Sequence, residues 1–165
     1  MQFAVTASTQ DFVSGETNST AKNRGFFLAI AFLAVAGIGV SAVSLQRHYA
    51  KSASAFCDIG EKFSCDIVNR SEYSSLAGIP VAGIGVAGYG LLLALATLYR
   101  SRPETPTRLL GAAAAGLCFA LYLTYIEGHV LGTWCILCLS SLGIIAAITI
   151  LAGVVRIRFS TKLSG

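Results

Sequence analysis

Four apolar stretches, at residues 26–45, 79–99, 109–126 and 134–155, carry no Lys, Arg or Asp and decide which solvent this chain folds in. As helix, at about 1.5 Å per residue, each is long enough to cross roughly 30 Å of hydrocarbon. The 165 residues are 55% hydrophobic and 12% charged, with a mean hydropathy of +0.70, too apolar for a soluble domain of this size. The expected fold is an all-α membrane protein, a bundle of four transmembrane helices. Small residues, Gly37 with Ser41 and Gly83 with Ala87, predict close backbone approach between helices, the packing mode that lipid-embedded segments rely on.

Lys and Arg near the span ends set the orientation. Lys22, Arg24, Arg100, Arg102, Arg108, Arg156, Arg158 and Lys162 fall on one side. Arg47, Lys51, Lys62 and Arg70 fall on the other, in a longer loop where Asp58, Glu61, Asp66 and Glu72 offset them. Both termini are therefore expected in the cytoplasm. The formal charge of +4 follows from these retention charges and gives no reason to invoke nucleic acid. Residues 1–24 read as a disordered polar tail, 25–156 as the bundle and 157–165 as a short basic tail. A cleaved signal peptide is the rival reading of the start, from Lys22, Arg24 and the small residues Ala53-Ser54-Ala55. Against it, the first apolar run exceeds the usual signal core of about 7–15 residues, and the small residues lie well beyond its end.

Residues 46–78 form the one long polar connection and, with the short 127–133 turn, face the compartment opposite the termini. Ile67, Val68, Tyr73 and Leu76 recur there at roughly helical spacing. A short amphipathic helix is expected to lie over the bundle mouth, its apolar side capping what is bound below. A solvated connector is the alternative.

The chemistry rests on cysteine. Cys135-Ile136-Leu137-Cys138 opens the fourth span, where unpaired N–H groups and the positive dipole end of the first turn favour a thiolate. Residues three apart share a helix face, so this pair can open and close as a disulfide. Cys57 and Cys65 lie in the long loop on the same side, accessible to thiol–disulfide exchange with a soluble protein. Rival readings are two small core residues for the first pair and, for the second, a structural staple worth about 2–3 kcal/mol. Four thiolates on zinc is a third, although structural zinc sites more often pair CxxC with CxxC. Cys118, within the third span, reads as a small buried residue. His48 reads as an exposed loop residue. Gly83, Gly85 and Gly88 match a dinucleotide-binding spacing, but inside an apolar span with no preceding strand they read as helix-packing residues.

These motifs, in this order, resemble the vitamin K epoxide reductase family and in particular its bacterial disulfide-oxidising members. The resemblance covers about residues 24–155. It rests on Phe56-Cys57, on Phe63-Ser64-Cys65-Asp66-Ile67-Val68 with Ser71 six positions after Cys65, on Gly78-Ile79-Pro80-Val81, and on Trp134-Cys135-Ile136-Leu137-Cys138. It implies a four-helix bundle around a quinone of the ubiquinone, menaquinone or phylloquinone type, with no metal. It also implies an order of events in which a thioredoxin-like partner attacks at Cys57, freed Cys65 attacks Cys135, and Cys138 is released facing the quinone. Where mammalian members place an Asn four residues before the Gly matching Gly78, this chain has Ser74. Where they place a Tyr four residues after the second CxxC cysteine, it has Leu142. Both positions contact quinone oxygens in those relatives, so a plain quinone acceptor is expected rather than an epoxide.

Tyr122, Tyr125, Glu127 and His129, near the outer end of the third span, are candidates to hydrogen-bond a quinone carbonyl or relay a proton, with interfacial anchoring as the alternative. Trp134 is either a pocket wall or an interface marker. The expected partner is a separate thioredoxin-like protein of a periplasm or lumen. Without an Arg- and Ser-rich leader, a bacterial inner membrane is the expected location, with the cysteines facing the periplasm.

Overall fold

The computed structural model describes residues 3–49, 63–76, 78–99, 102 and 104–163, with side chains of the first helix described from Arg24 and of the last as far as Thr161. The chain is mostly helical. Helix α1 (Phe3–Tyr49) leads across residues 50–62 to the short α2 (Cys65–Arg70), a 3-10 turn (Glu72–Ser74) and a minimal antiparallel pair, β1 (Ser75–Leu76) with β2 (Ile79–Pro80). Then follow α3 (Val81–Thr97), α4 (Thr105–Ile126) continued by a π turn (Glu127–Leu131), and α5 (Ile136–Leu163). Gly78 turns the β pair at φ +83° and Gly132 ends the π turn at φ +62°, backbone conformations that a side chain disfavours.

Three helices are long and apolar enough to cross a membrane, over Arg24–Tyr49, Thr105–Leu131 and Ile136–Thr161. The fourth apolar helix, α3, has 17 residues, about 25 Å. Its expected start at residue 79 is lost because Ile79 and Pro80 pair with Leu76 and Ser75. Helix α1 begins well before residue 26 and runs through the residues read as a polar tail. Contacts of α1 with α3, α3 with α4, α4 with α5 and α5 with α1 close a ring of four helices.

The interior stripe of α1 is Phe27, Ile30, Ala34, Gly37, Ser41 and Ser44, alternating steps of three and four that keep one seam inward. Ile145, Ile148, Ala152 and Val155 repeat that pattern on α5. The outward residues Phe32, Val35, Leu91 and Ile150 are just as apolar, so what separates inside from outside is size as much as polarity. Gly37 of α1 receives the Tyr89 ring of α3, and a Cβ there would lie 2.5 Å from it. Gly85 of α3 receives Ser41 in the same way. Close approach thus occurs at Gly37 and Ser41 as expected, but on α3 it uses Gly85 and Tyr89. Nothing presses on Gly83, and Ala87 is exposed.

Three local expectations are corrected. The amphipathic helix sought over residues 66–76 stops at Arg70, where Ser71 bonds back to the Val68 carbonyl through its N–H and hydroxyl. Only Val68 of its apolar set is buried, while Ile67, Tyr73 and Leu76 are exposed. Cys118 is exposed on the outer surface of the bundle, consistent with a small residue at a lipid-facing position. His48 belongs to the last turn of α1 and is half-buried against α2.

The Tyr89 ring cannot swing aside for a bulkier Gly37, because its hydroxyl is held by the Ser141 carbonyl and hydroxyl at 2.9 Å each. Gly37→Ala is expected to destabilise the bundle by about 1–3 kcal/mol, as overpacking does. Gly39→Ala, facing open space, is expected to be neutral or slightly stabilising. Unfolding of both variants in detergent checks this pair.

Candidate functional site

The site is assembled at one end of the bundle by main-chain pairing between segments remote in sequence. Phe63 and Trp134 form a parallel bridge, and the Ser64 N–H donates to the Trp134 carbonyl at 3.2 Å. The next residues along the two segments are Cys65 and Cys135, and both are fully buried in one small cluster with Val68. Ser64 then starts α2, its hydroxyl accepting from the Ile67 N–H at 3.4 Å. Cys135 starts α5, its carbonyl accepting from the Leu139 N–H at 3.0 Å. Two helix starts thus meet sulfur to sulfur.

A polar knot fixes this meeting. Asn69, one turn after Cys65, donates to the Cys65 carbonyl at 2.9 Å and reaches within 4.0 Å of Cys135 Sγ. Its side-chain oxygen accepts from Ser44 of α1 at 2.7 Å. His48 Nδ1 lies 2.6 Å from the Asn69 carbonyl and 3.3 Å from the Ser74 hydroxyl. Ser71 caps α2, and the Ser74 hydroxyl donates to the Ser71 carbonyl at 2.7 Å. Buried polar groups satisfied in this way hold a segment in a single position.

On the other flank, Glu127 is 2% exposed. Its carboxylate accepts the Cys135 N–H at 3.1 Å and is hydrogen-bonded to the Cys138 thiol. The π turn presents it there, tied off by the Thr133 N–H on the Glu127 carbonyl at 3.2 Å, and the Trp134 ring packs over Gly128. Cys135 itself lies ahead of the membrane-length helix Ile136–Thr161. Its pKa is lowered, chiefly by the Cys138 thiol, whose single proton faces both Cys135 Sγ and the Glu127 carboxylate, with the Cys138 N–H and the Cys65 thiol adding to it against burial and the Glu127 charge. A lowered pKa of this kind raises the fraction present as thiolate, the nucleophilic form.

Below the cysteines lies a cavity of about 350 Å³, within the range of small-molecule sites. Its walls are mostly apolar, from residues such as Ile84, Leu92, Phe119 and Leu123. Polar groups converge on it at few points: His48, Asn69 and Ser74 beside α2, Glu127 and Cys138 beside the π turn, and Tyr89 with Ser141. A flat, largely apolar ring with oxygens at its edge suits such walls.

The sequence candidates fall into distinct places. Cys65, Cys135 and Cys138 come together, and Cys57 lies outside the described residues. Asp66 is buried in α2. Ser74 lines the cavity. Tyr122 and Tyr125 are 58% and 59% exposed on α4 and stand outside the lining, as do Trp134 and the half-buried Leu142. Tyr125 stacks on His129 at the bundle surface. Asn69 and Ser44 escaped notice in the sequence, although an Asn one turn after Cys65 shares its helix face.

Asn69→Ala strips partners from the Ser44 hydroxyl and the α2 main chain, and is expected to cost about 1–3 kcal/mol in unfolding measurements. Replacing Cys138 by Ala removes the main donor to Cys135, so the Cys135 thiol is expected to ionise at higher pH than in the parent. Thiolate absorbance, recorded with Cys57, Cys65 and Cys118 replaced and with Cys138 either kept or replaced, reads that rise directly.

With residues 28–153 matching the model of the vitamin K epoxide reductase family, the chain belongs to that family of membrane, quinone-associated oxidoreductases.

Proposed function

We propose that this protein is a membrane thiol–disulfide oxidoreductase that takes electrons from a separate thioredoxin-like protein and passes them through its cysteines to a quinone, supporting disulfide bond formation. The observation that carries the reading is the contact of Cys65 with Cys135 while Cys138 lines the cavity. In the proposed order, a partner thiolate attacks Cys57 in a Cys57–Cys65 disulfide and frees Cys65. Cys65 then attacks Cys135 of the Cys135–Cys138 disulfide, and Cys138 leaves as the sulfur nearest the cavity. The partner's second thiol then displaces Cys57 from the mixed disulfide, so that the partner departs oxidised, and the freed Cys57 attacks Cys65 of the Cys65–Cys135 linkage, which returns the loop pair to its disulfide and leaves Cys135 and Cys138 reduced. The electron pair has then moved from the bundle surface to its interior. The lowered pKa of Cys135 suits this sulfur to be the leaving group in that resolution, since thiols of lower pKa leave faster.

A quinone supplies a two-electron, two-proton sink. Ser74, with His48 behind it, and the Tyr89–Ser141 pair would hold its oxygens, and the apolar helix faces would enclose its ring. Asp66 and Ser71 shape the α2 segment that covers the cavity. All four ring-forming helices cross the membrane in this reading, α3 at the lower limit of length, with residues 25–156 as the functional bundle. Both termini then lie in the cytoplasm of a bacterial cell and the cysteine end faces the periplasm, the compartment in which disulfides persist.

Quinone reduction by a reduced thioredoxin-like protein, followed in detergent, tests the proposal. Cys135→Ala and Cys138→Ala are each expected to abolish it while the unfolding midpoint stays near that of the parent. Normal turnover by both variants contradicts the relay.

A further inference from the structure

A dithiol that closes to a disulfide sheds two protons with its two electrons, and the cavity is apolar except at a few points. Among the described residues lining it, Glu127 is the one acidic side chain. The residue is 2% exposed, is the one acidic residue of the membrane-length segment Thr105–Leu131, far along it from Arg108, and faces both members of the CxxC pair: one through the Cys135 N–H, the other through the Cys138 thiol. A carboxylate in such a place is costly and calls for a function. Holding the Cys135 N–H needs only an acceptor, which an amide supplies equally. A sulfur at the cavity that must lose its proton as it reacts needs, in addition, a neighbour able to take that proton.

We propose that Glu127 is the acid–base residue of the Cys135–Cys138 pair, taking the proton from Cys138 Sγ as the disulfide closes and releasing it into the cavity. This inference rests on the oxidoreductase reading above. In balance, closure forms the Cys135–Cys138 sulfur–sulfur bond and breaks two S–H bonds. The electron pair and both protons end on a quinone, reduced to hydroquinone. Glu127 carries one of the protons, and the Cys135 proton, which Glu127 does not handle, joins it through the cavity. The other titratable groups around Glu127 are Cys135 just ahead of α5, Cys138 of α5, Cys65 of α2 in contact with Cys135, and, across the cavity, His48 of α1, Tyr73 of the 3-10 turn and Tyr89 of α3. His129 and Tyr125 stack on each other at the exposed surface of the same element.

Glu127→Gln separates the two roles, because it keeps an acceptor for the Cys135 N–H and removes the exchangeable proton. Its unfolding midpoint is expected to match the parent, whereas Glu127→Ala lowers it. Two readouts decide the proposal. In the reduced-minus-oxidised infrared difference spectrum, taken with a dithiol reductant and no quinone, the parent is expected to show a negative protonated-carboxyl band, from the proton held on Glu127 while the disulfide is closed, that Glu127→Gln lacks. In single-turnover electron transfer from the reduced protein to a short-chain quinone, Glu127→Gln is expected to be about 100-fold slower, the usual scale of general acid–base catalysis. Absence of the band, or transfer at the parental rate in Glu127→Gln, overturns the assignment. A parent that reduces no quinone but shows the Glu127-dependent band removes the quinone step and leaves the proton exchange at Cys138 standing, because the infrared measurement is independent of quinone.

Discussion

Two short stretches of backbone, one before Cys65 and one before Cys135, run side by side through the Phe63–Trp134 bridge and the Ser64-to-Trp134 hydrogen bond. Everything chemical in the molecule depends on that pairing. It delivers the first residue of α2 and the residue heading α5 to the same point, and their sulfurs follow. Asn69 then ties the point to α1 through Ser44, and Glu127 ties it to α4 through the Cys135 N–H. A site anchored on four segments holds its sulfurs in register, which is the preorganisation that the proposed exchange between buried thiols requires.

The bundle beneath serves the same end by being incompletely filled. Toward one end, Phe27, Ile30, Leu109, Ile148 and Val155 close the core. Toward the other, Ser41, Gly85, Gly88 and Gly116 line open space. Large residues at those positions would fill the volume that a ring is proposed to use. Tyr89 stands at the boundary, buried against Gly37 on one side and hydrogen-bonded to Ser141 on the other, and so fixes the spacing of α1, α3 and α5 together.

The four apolar stretches were legible in the sequence because length and lack of charge are local properties, and three of them became helices of membrane length. The stripe facing inward was less legible. In a chain whose outer face is as apolar as its core, periodicity of hydrophobicity carries little information, and Cys118 was accordingly placed on the wrong side. The meeting of Cys65 and Cys135 was expected from motif order, yet the bridge that achieves it leaves no local signature at Phe63 or Trp134. Polar partners were missed for a related reason: Asn69 and Ser44 act across helices, and a one-dimensional reading does not show which turns face each other. The short extent of α2 follows from Ser71 capping it, a competition between side chain and helix that hydrophobic spacing alone does not register.

The central claim is that Cys65 and Cys135 sulfurs are neighbours able to bond. Peptide mapping under non-reducing conditions of the oxidised Cys57→Ala/Cys138→Ala variant tests it most directly, since loss of Cys57 and Cys138 leaves Cys65 and Cys135 each without its own disulfide partner. The account predicts a Cys65–Cys135 disulfide as the main linked species. Recovery of both Cys65 and Cys135 as free thiols would contradict it.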